Sequence, residues 1–326
     1  MKKLLALLLL VPALCFAWQP DPNKVITVTV PNPPGSGNEL AFRQLAAIIA
    51  KTDSTAKFVV VNQPGADGVV ALNATMTKAP DGYNIMAAVQ ASTVLTNDIW
   101  EKNVKKFEWD SFTYPITYGK SPMVLIANSK SAVNTPQDFV KLISTTTKPV
   151  SVAVGGGTHR TVFEYLMEKG KGNSDQVKTV RFQGPLQVVT SVAQFDGKEG
   201  TEFGVLPIAI AQSLIQAGKV KPIGFTGAQK LARYPDVASL NTVSPGNNIA
   251  ASWFIVMPPN VPKDIVEWYS KTFAAAMRTP EYKQWAEENA VIVDLSEITP
   301  EGVAKENKSL RNTYLPLLQK IDTSKD

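Results

Sequence analysis

Cysteine and histidine are nearly missing from this sequence. Among its 326 residues the one cysteine is Cys15 and the one histidine is His159. A single histidine excludes a multi-histidine metal centre, and with the lone cysteine so close to the start no thiolate site remains in the body of the chain. There is no run of Lys and Arg, and no segment beyond the first residues is long and apolar enough to span a bilayer, which takes about 20 residues. Tandem repeats and low-complexity tracts are missing too. What the sequence has is glycine and proline, 20 and 23 residues, many of them clustered where strand-like runs give way to helical ones.

The first residues, MKKLLALLLLVPALCFA, carry Lys2 and Lys3, an apolar run from Leu4 to Leu14, and a small-residue end at Cys15 and Ala17. That is the pattern of a secretory signal peptide, and it predicts cleavage after Ala17 and an exported, soluble chain beginning at Trp18. Cys15 raises a lipoprotein reading, but Leu14 stands where that signal needs a small residue. Removing Lys2 and Lys3 from 33 basic residues leaves 31 against 28 acidic ones, a balance of about +3 that is too small to point to nucleic acid. The remaining length argues for two domains, and a hydrophobic content of 44% supplies two cores.

The stretch VPNPPGSGNELAFR, residues 30–43, joins an apolar strand, VITVTV, to an amphipathic helix through a loop of Pro and Gly. Glycine keeps side chains out of the way, so backbone N–H groups can approach a guest. Ser36 followed by Glu39 is a capping-box pattern that places the helix start inside this loop. The free N–H groups of that start, with the positive end of the helix dipole, offer a dock for a carboxylate or phosphate. An ordinary capped turn reads the same way. Further on, FVVVN runs into QPGADG and a helix to about Lys78, and APDGY precedes the strand NIMAAV. Repeated strand, glycine turn and helix predict a parallel sheet with its loops at one end. The runs TYPITYG and PMVLIAN read as two strands. Thr135 then caps a helix with Pro136 at its first position. VSVAVGGGTHR repeats the opening logic, with Gly155, Gly156 and Gly157 baring the backbone and Thr158 as a cap. WFIVMPP reads as a strand, VIVDL as a short one, and the chain closes with a helix from Pro300.

Two glycine turns at helix starts, one in each half, can clasp a small anion between two positive helix ends. Catalysis has little support. Ser36 lies in GSG rather than in a nucleophile elbow, and His159 would have to serve it from the other half. GGGTHRT lacks the lysine and spacing of a P-loop. An exported serine hydrolase using Ser36 and His159 stays as the alternative from another class. His159 is read as a helix-start side chain near the cleft, and Glu39 as a capping carboxylate rather than a contact for a cationic guest. The tryptophans are read as core residues, with Trp253, beside a strand start, the candidate for the cleft edge.

Taken in order, V-P-x-x-P-P-G with Ala41 and Arg43, VVVNQPGADG, APDGYNI, the G-x-G-T turn at Gly155 to Thr158, RFQGP, AGKVKPIGFTG, RYPDVASL and WFIVMPPNVPKDIV resemble the periplasmic substrate-binding proteins of tripartite tricarboxylate transporters, the Bug receptors. The likeness runs from Trp18 almost to the C-terminus. It implies a two-domain α/β periplasmic binding protein of type II, a Venus flytrap whose cleft lies between domains joined by crossing strands. The implied division is 18–121 with 227–326, and 122–226. Together with the residue reading above, no enzymatic activity, no cofactor and no metal are expected. The ligand would be a small organic carboxylate held largely by backbone N–H groups and water, and the partners would be membrane transporter subunits or, alternatively, a membrane sensor. The chain would be a periplasmic monomer.

By position, the resemblance places the first wall at Pro34, Gly35, Ser36, Gly37, Asn38 and Glu39, with Pro64, Gly65 and Ala66 beside it. Ser92 and Thr93 follow a strand where the family shows small hydroxyl residues. The opposite wall would be Gly155, Gly156, Gly157, Thr158 and His159, with Gln183 and Gly184 near. The chain departs from the family at Gly35, Ser36 and Glu39, where many members have Gly-Gly and then Asp two residues on. His159 also does not align cleanly with the family histidine. A Glu39 carboxylate aimed into the cleft would disfavour a second ligand carboxylate or select a guest with a cationic group.

Overall fold

The structure, a computed structural model, describes residues 18–320 except 229, 230, 232, 296 and 297. The expected signal peptide and its cleavage after Ala17 lie outside the described residues.

The first half alternates as the glycine turns predict. β1 (Ile26–Val30) leads to α1 (Gly37–Thr52), and β2 (Phe58–Asn62) leads to α2 (Val69–Thr75). β3 (Asn84–Val89) runs into a π-helical turn at Ser92–Thr96 and the short α3 (Asn97–Trp100). In β1 the side chains of Ile26, Val28 and Val30 are buried while those between them are half-buried, the period-two pattern of a strand. β1 is parallel to both β2 and β3, so the loops that leave these three strands emerge at one end of the sheet.

β4 (Thr117–Asn128) is followed by α4 (Pro136–Thr145), β5 (Val150–Val154), α5 (Gly157–Lys169), β6 (Val177–Arg181) and α6 (Pro185–Ala193). Next come β7 (Phe203–Pro207), α7 (Ile208–Gln216) and β8 (Val220–Phe225). After a long loop the chain finishes with β9 (Ala250–Val256), α8 (Lys263–Arg278), α9 (Pro280–Glu288) and α10 (Pro300–Leu318). α4 starts as its sequence predicts. Thr135 accepts from the Asp138 N–H, Asp138 reaches back to the Thr135 N–H, and Pro136 occupies the first turn.

The strands form one curled sheet in the order β2-β1-β3-β9-β4-β7-β5-β6, with β8 also on β4. The two runs TYPITYG and PMVLIAN are not two strands, because Thr117 to Asn128 is one continuous strand of 12 residues. Up to Pro122 it pairs with β9, and from Met123 it lies between β7 and β8. Pro122 stands where one pairing ends and the next begins. A residue with no N–H is tolerated there, although it would cost a ladder bond elsewhere. VIVDL is likewise not a strand. The chain leaves α9 through Ala290 at φ +50, and Ile292 makes an isolated bridge with Lys120. α2 also stops short of Lys78, at Thr75.

One core lies between β1, β3 and β9 and the helices α1, α8 and α9, where Phe42, Leu45, Tyr269, Phe273 and Tyr282 are fully enclosed. A second core joins the two halves of the sheet through Val94 and Leu95, Phe163 of α5, Phe203 of β7, and Tyr314 and Leu318 of α10. Each such aromatic or aliphatic side chain contributes about 1.5–3 kcal/mol through burial. α10 adds polar ties. The Tyr314 hydroxyl donates to the Gly246 carbonyl at 2.8 Å and accepts from the Asn248 N–H at 3.0 Å, while Arg311 pairs with Asp98. Glu306 meets Lys120, at the crossing segment of β4, at 2.7 Å. Among the described residues no helix is long and apolar enough to cross a membrane.

Candidate functional site

The loop after β1 turns at Gly35, whose φ of +83 suits glycine, and α1 begins behind it. Ser36 occupies the N-cap position with extended backbone, φ −70 and ψ 151, but its hydroxyl makes no cap bond. The reciprocal capping box therefore does not form. Glu39 is drawn instead to the Gly35 N–H at 2.9 Å, to Arg43 Nε at 2.8 Å and to Asn62 at 3.1 Å. Burial pushes its carboxyl up, but the bonds from Arg43, Asn62 and Gly35 outweigh this and hold it below the usual range. Glu39 is thus tied to the helix start and does not line the cleft. Ser36 Oγ, released from capping, is buried without a partner.

The loop after β2 has an unusual backbone: Ala66 and Asp67 both have φ of +46. Ala pays for this region sterically, whereas Asp tolerates it. The turn sends the Asp67 carboxylate across to the start of α5, where it accepts from the Gly157 N–H at 3.1 Å and from the Thr96 hydroxyl at 3.3 Å, with Ser92 also bonding it. Burial raises its pKa to about 6, and the nearby Glu101 adds to the rise, while the bonds from Gly157, Ser92 and Thr96 oppose it.

On the facing wall, β5 passes through Gly155 and Gly156 into α5. The Gly155 N–H donates to His159 Nδ1 at 3.0 Å, and the opposite ring nitrogen bonds the Val205 carbonyl. Burial pushes His159 down to about 4, with the Val205 bond opposing, so the ring is neutral near pH 7. Gly157 has no room for a side chain, since a Cβ there would stand 2.6 Å from Thr96 Cβ and 2.9 Å from Asp67 Oδ2. The hydroxyls of Ser92 and Thr158 meet across the gap at 3.4 Å.

These loops enclose a cavity of about 40 Å³. Four helices begin on its lining: α1 at Gly37, α5 at Gly156 to Thr158, α6 at Pro185 and α7 at Pro207. Each start carries roughly half a positive charge, although Pro185 and Pro207 bring no N–H of their own and the Gly157 N–H is taken by Asp67. Among the described residues no Lys or Arg lines this cavity, and Asp67 is its one charged side chain. Trp253 forms part of the floor, with Gly37 packed so closely on its indole that a Cβ would approach to 2.6 Å. Asn32, Asp67, Gly155 and Gly156 also line a wider mouth of about 380 Å³, where Arg181 faces Glu101 at 3.7 Å.

The residues singled out from the sequence distribute as follows. Ser36, Gly37, Asn38 and Ser92 line the inner cavity from one side, and Gly155, Gly156, Thr158 and His159 from the other. Pro64, Gly65, Ala66 and Gln183 line the mouth. Pro34 and Gly35 are exposed on the turn and line neither. The Thr93 hydroxyl donates back to the Val89 carbonyl at 3.0 Å. Gly184 packs behind Gly155. Sequence reasoning passed over Asn32, Pro33, Glu101, Arg181 and above all Asp67. The signal for Asp67 was present, a charge set inside the otherwise uncharged turn QPGADG.

Residues 41–298 match the family described as the tripartite tricarboxylate transporter family receptor. Protein BugT of Bordetella pertussis is 22% identical over 240 residues, 73% of this chain and 71% of that protein. MatC from Rhodopseudomonas palustris, solved with bound malate, superposes with a TM-score of 0.81 at 19% identity, covering 91% of this chain and 99% of that one. A second R. palustris protein, solved with adipate, gives 0.80 at 17% identity, covering 92% and 96%.

Proposed function

Because the chain belongs to the tripartite tricarboxylate transporter family of receptors, we propose that it captures a small organic carboxylate in the cavity between its halves and hands it to membrane transporter subunits. The observation that carries this reading is the inner cavity itself. Four helix starts and the Ser36 hydroxyl, which has no protein partner, converge on one space that, among the described residues, no Lys or Arg lines. Such a site binds an anion by N–H groups and dipoles. The malate and adipate held by the two structural neighbours are of the same class.

The ligand-contacting groups in this reading are Ser36, Gly37, Ser92, Gly155, Gly156 and Thr158. The two lobes are 18–121 with 227–326, and 122–226, and they rock about the crossing segment of β4. Closure couples to binding because α5 gains ligand contacts only when the lobes meet. The leader of residues 1–17 delivers the chain to the periplasm, where it acts as a monomer. Calorimetric titration against mono-, di- and tricarboxylates tests the reading, with binding of at least one of them expected. Silence across the panel would overturn it.

The hydrolase reading loses its base. His159 Nδ1 accepts from Gly155 and its other ring nitrogen serves Val205, so neither is free to take a proton from Ser36. We therefore assign Ser36 a binding role, and expect no ester hydrolysis by the wild-type chain above that of Ser36→Ala.

A further inference from the structure

The two positive walls of the inner cavity are not equivalent. On the α1 side Ser36 Oγ is buried with no partner, and the loop's own carboxylate, Glu39, is turned away to Gly35, Arg43 and Asn62. On the α5 side the Gly157 N–H is already held by a carboxylate, that of Asp67. That carboxylate comes from the other half of the chain, on a backbone with positive φ, so it covers α5 only when the halves are together.

Asp67 is also short of positive charge. Its hydrogen-bond donors among the described residues are an amide and two hydroxyls, and no Lys or Arg lines the inner cavity. Glu101, whose charge adds to the rise in the Asp67 pKa, lines the mouth with it and faces Arg181 there at 3.7 Å. Asp67 is half-buried and reaches both the inner cavity and the mouth, and a carboxylate withdrawn from water among neutral donors is costly unless a cation completes it. Capping α5 explains the contact with Gly157. It does not explain why the charge is aimed into a cavity that the opposite wall leaves open for an anion.

We propose that Asp67 sets the ligand class: the cavity takes a small monocarboxylate that carries an ammonium group, with the carboxylate on Ser36 and the α1 start and the ammonium against Asp67. This rests on the receptor reading above. A dicarboxylate would have to bring its second charge against Asp67 or displace it from Gly157. A plain monocarboxylate would leave Asp67 without its counter-charge.

The test is calorimetric titration of the mature chain at pH 7.5 with pairs that share a methylene count: glycine and malonate, β-alanine and succinate, 4-aminobutyrate and glutarate. Acetate, propionate and butyrate complete the panel. In at least one pair the wild-type chain should bind the amino acid about tenfold or more tightly than its dicarboxylate, about 1.4 kcal/mol in free energy. Asp67→Asn should shrink that ratio at least about tenfold and should strengthen, not weaken, binding of the plain monocarboxylate, which no longer faces an uncompensated carboxylate. Asp67→Gly, which accepts positive φ without strain, is the second variant, and melting scans confirm that both fold. Dicarboxylates favoured in every pair, or a ratio that Asp67→Asn leaves unchanged, would overturn the proposal and leave the receptor reading standing. No binding of any compound in the panel would overturn both.

Discussion

A hydroxyl without a partner and a carboxylate without a counter-charge stand in one cavity, and both can be tested singly. Ser36→Ala removes one hydrogen bond to the bound carboxylate, so affinity should fall about three- to tenfold, corresponding to about 0.5–1.5 kcal/mol. Melting temperature should hold, because the Ser36 hydroxyl makes no hydrogen bond to another group of the protein. A fall in melting temperature without a change in affinity would remove Ser36 from the site. His159 and Asp67 give opposite pH signatures. His159 titrates near 4 when folded, below the unfolded value of about 6.5, so the stability it contributes is present above that value and is lost as pH falls towards 4. Asp67 is raised from 3.8 to about 6, so the stability tied to its protonated form is present at low pH and is lost as pH rises through 6. Asp67→Asn should therefore gain on the wild type by about 1–2 kcal/mol between pH 4 and 7.5. Parallel melting curves of the two proteins across that range would contradict this, and Glu101, Arg181 and His159, the neighbouring titratable and charged groups, are common to both.

At the scale of elements, the sharpest prediction concerns the start of α5. A side chain at 157 would strike Thr96 and the Asp67 carboxylate, which belong to the opposite half. Gly157→Val should weaken ligand binding at least about tenfold by keeping the halves apart, a cost of the size seen for overpacking of about 1–3 kcal/mol. Calorimetry on the variant is the check, and unchanged affinity would clear the turn of any role in closure. The helix starts were legible because their chemistry is local: Thr135, Pro136 and Asp138 specify the cap of α4 whatever surrounds them. Alternation in VITVTV was legible for the same reason. The continuity of β4 was not, because the tolerance for Pro122 depends on β9, β7 and β8, which lie 80 or more residues away along the chain. Ser36 and Glu39 misled in a similar way. The capping box is a local pattern, and Asn62, 23 residues on, joins Arg43 in holding Glu39 away from it. Asp67 could be seen as a charge in a turn, but not that its acceptor site is the amide of Gly157, 90 residues later.

For the whole molecule, the arrangement of ties says where motion is possible. β4 is shared by both pairing systems, while α10 fastens Asp98, Gly246 and Asn248, all within 18–121 and 227–326, to one another. In the proposed opening of the lobes, the Asp67 to Gly157 bond and the contact between Ser92 and Thr158 would be the ones released. Small-angle scattering should show a larger radius of gyration for Gly157→Val than for the wild type with ligand. Equal radii would mean that closure does not depend on that turn. Arg311→Ala should loosen α10 and lower the melting temperature by a few degrees, about 1 kcal/mol for this ion pair and its packing on Trp109.

Trp253 gives the cavity an optical voice. Of the six tryptophans in the sequence, Trp253 alone lines the inner cavity, with its indole against Gly37 and only 2% of the residue exposed. Any solute that fills the space changes the water and charge beside that ring. The intrinsic emission of the unlabelled protein should therefore shift on saturation, and Trp253→Phe should silence the shift while the other five tryptophans continue to emit.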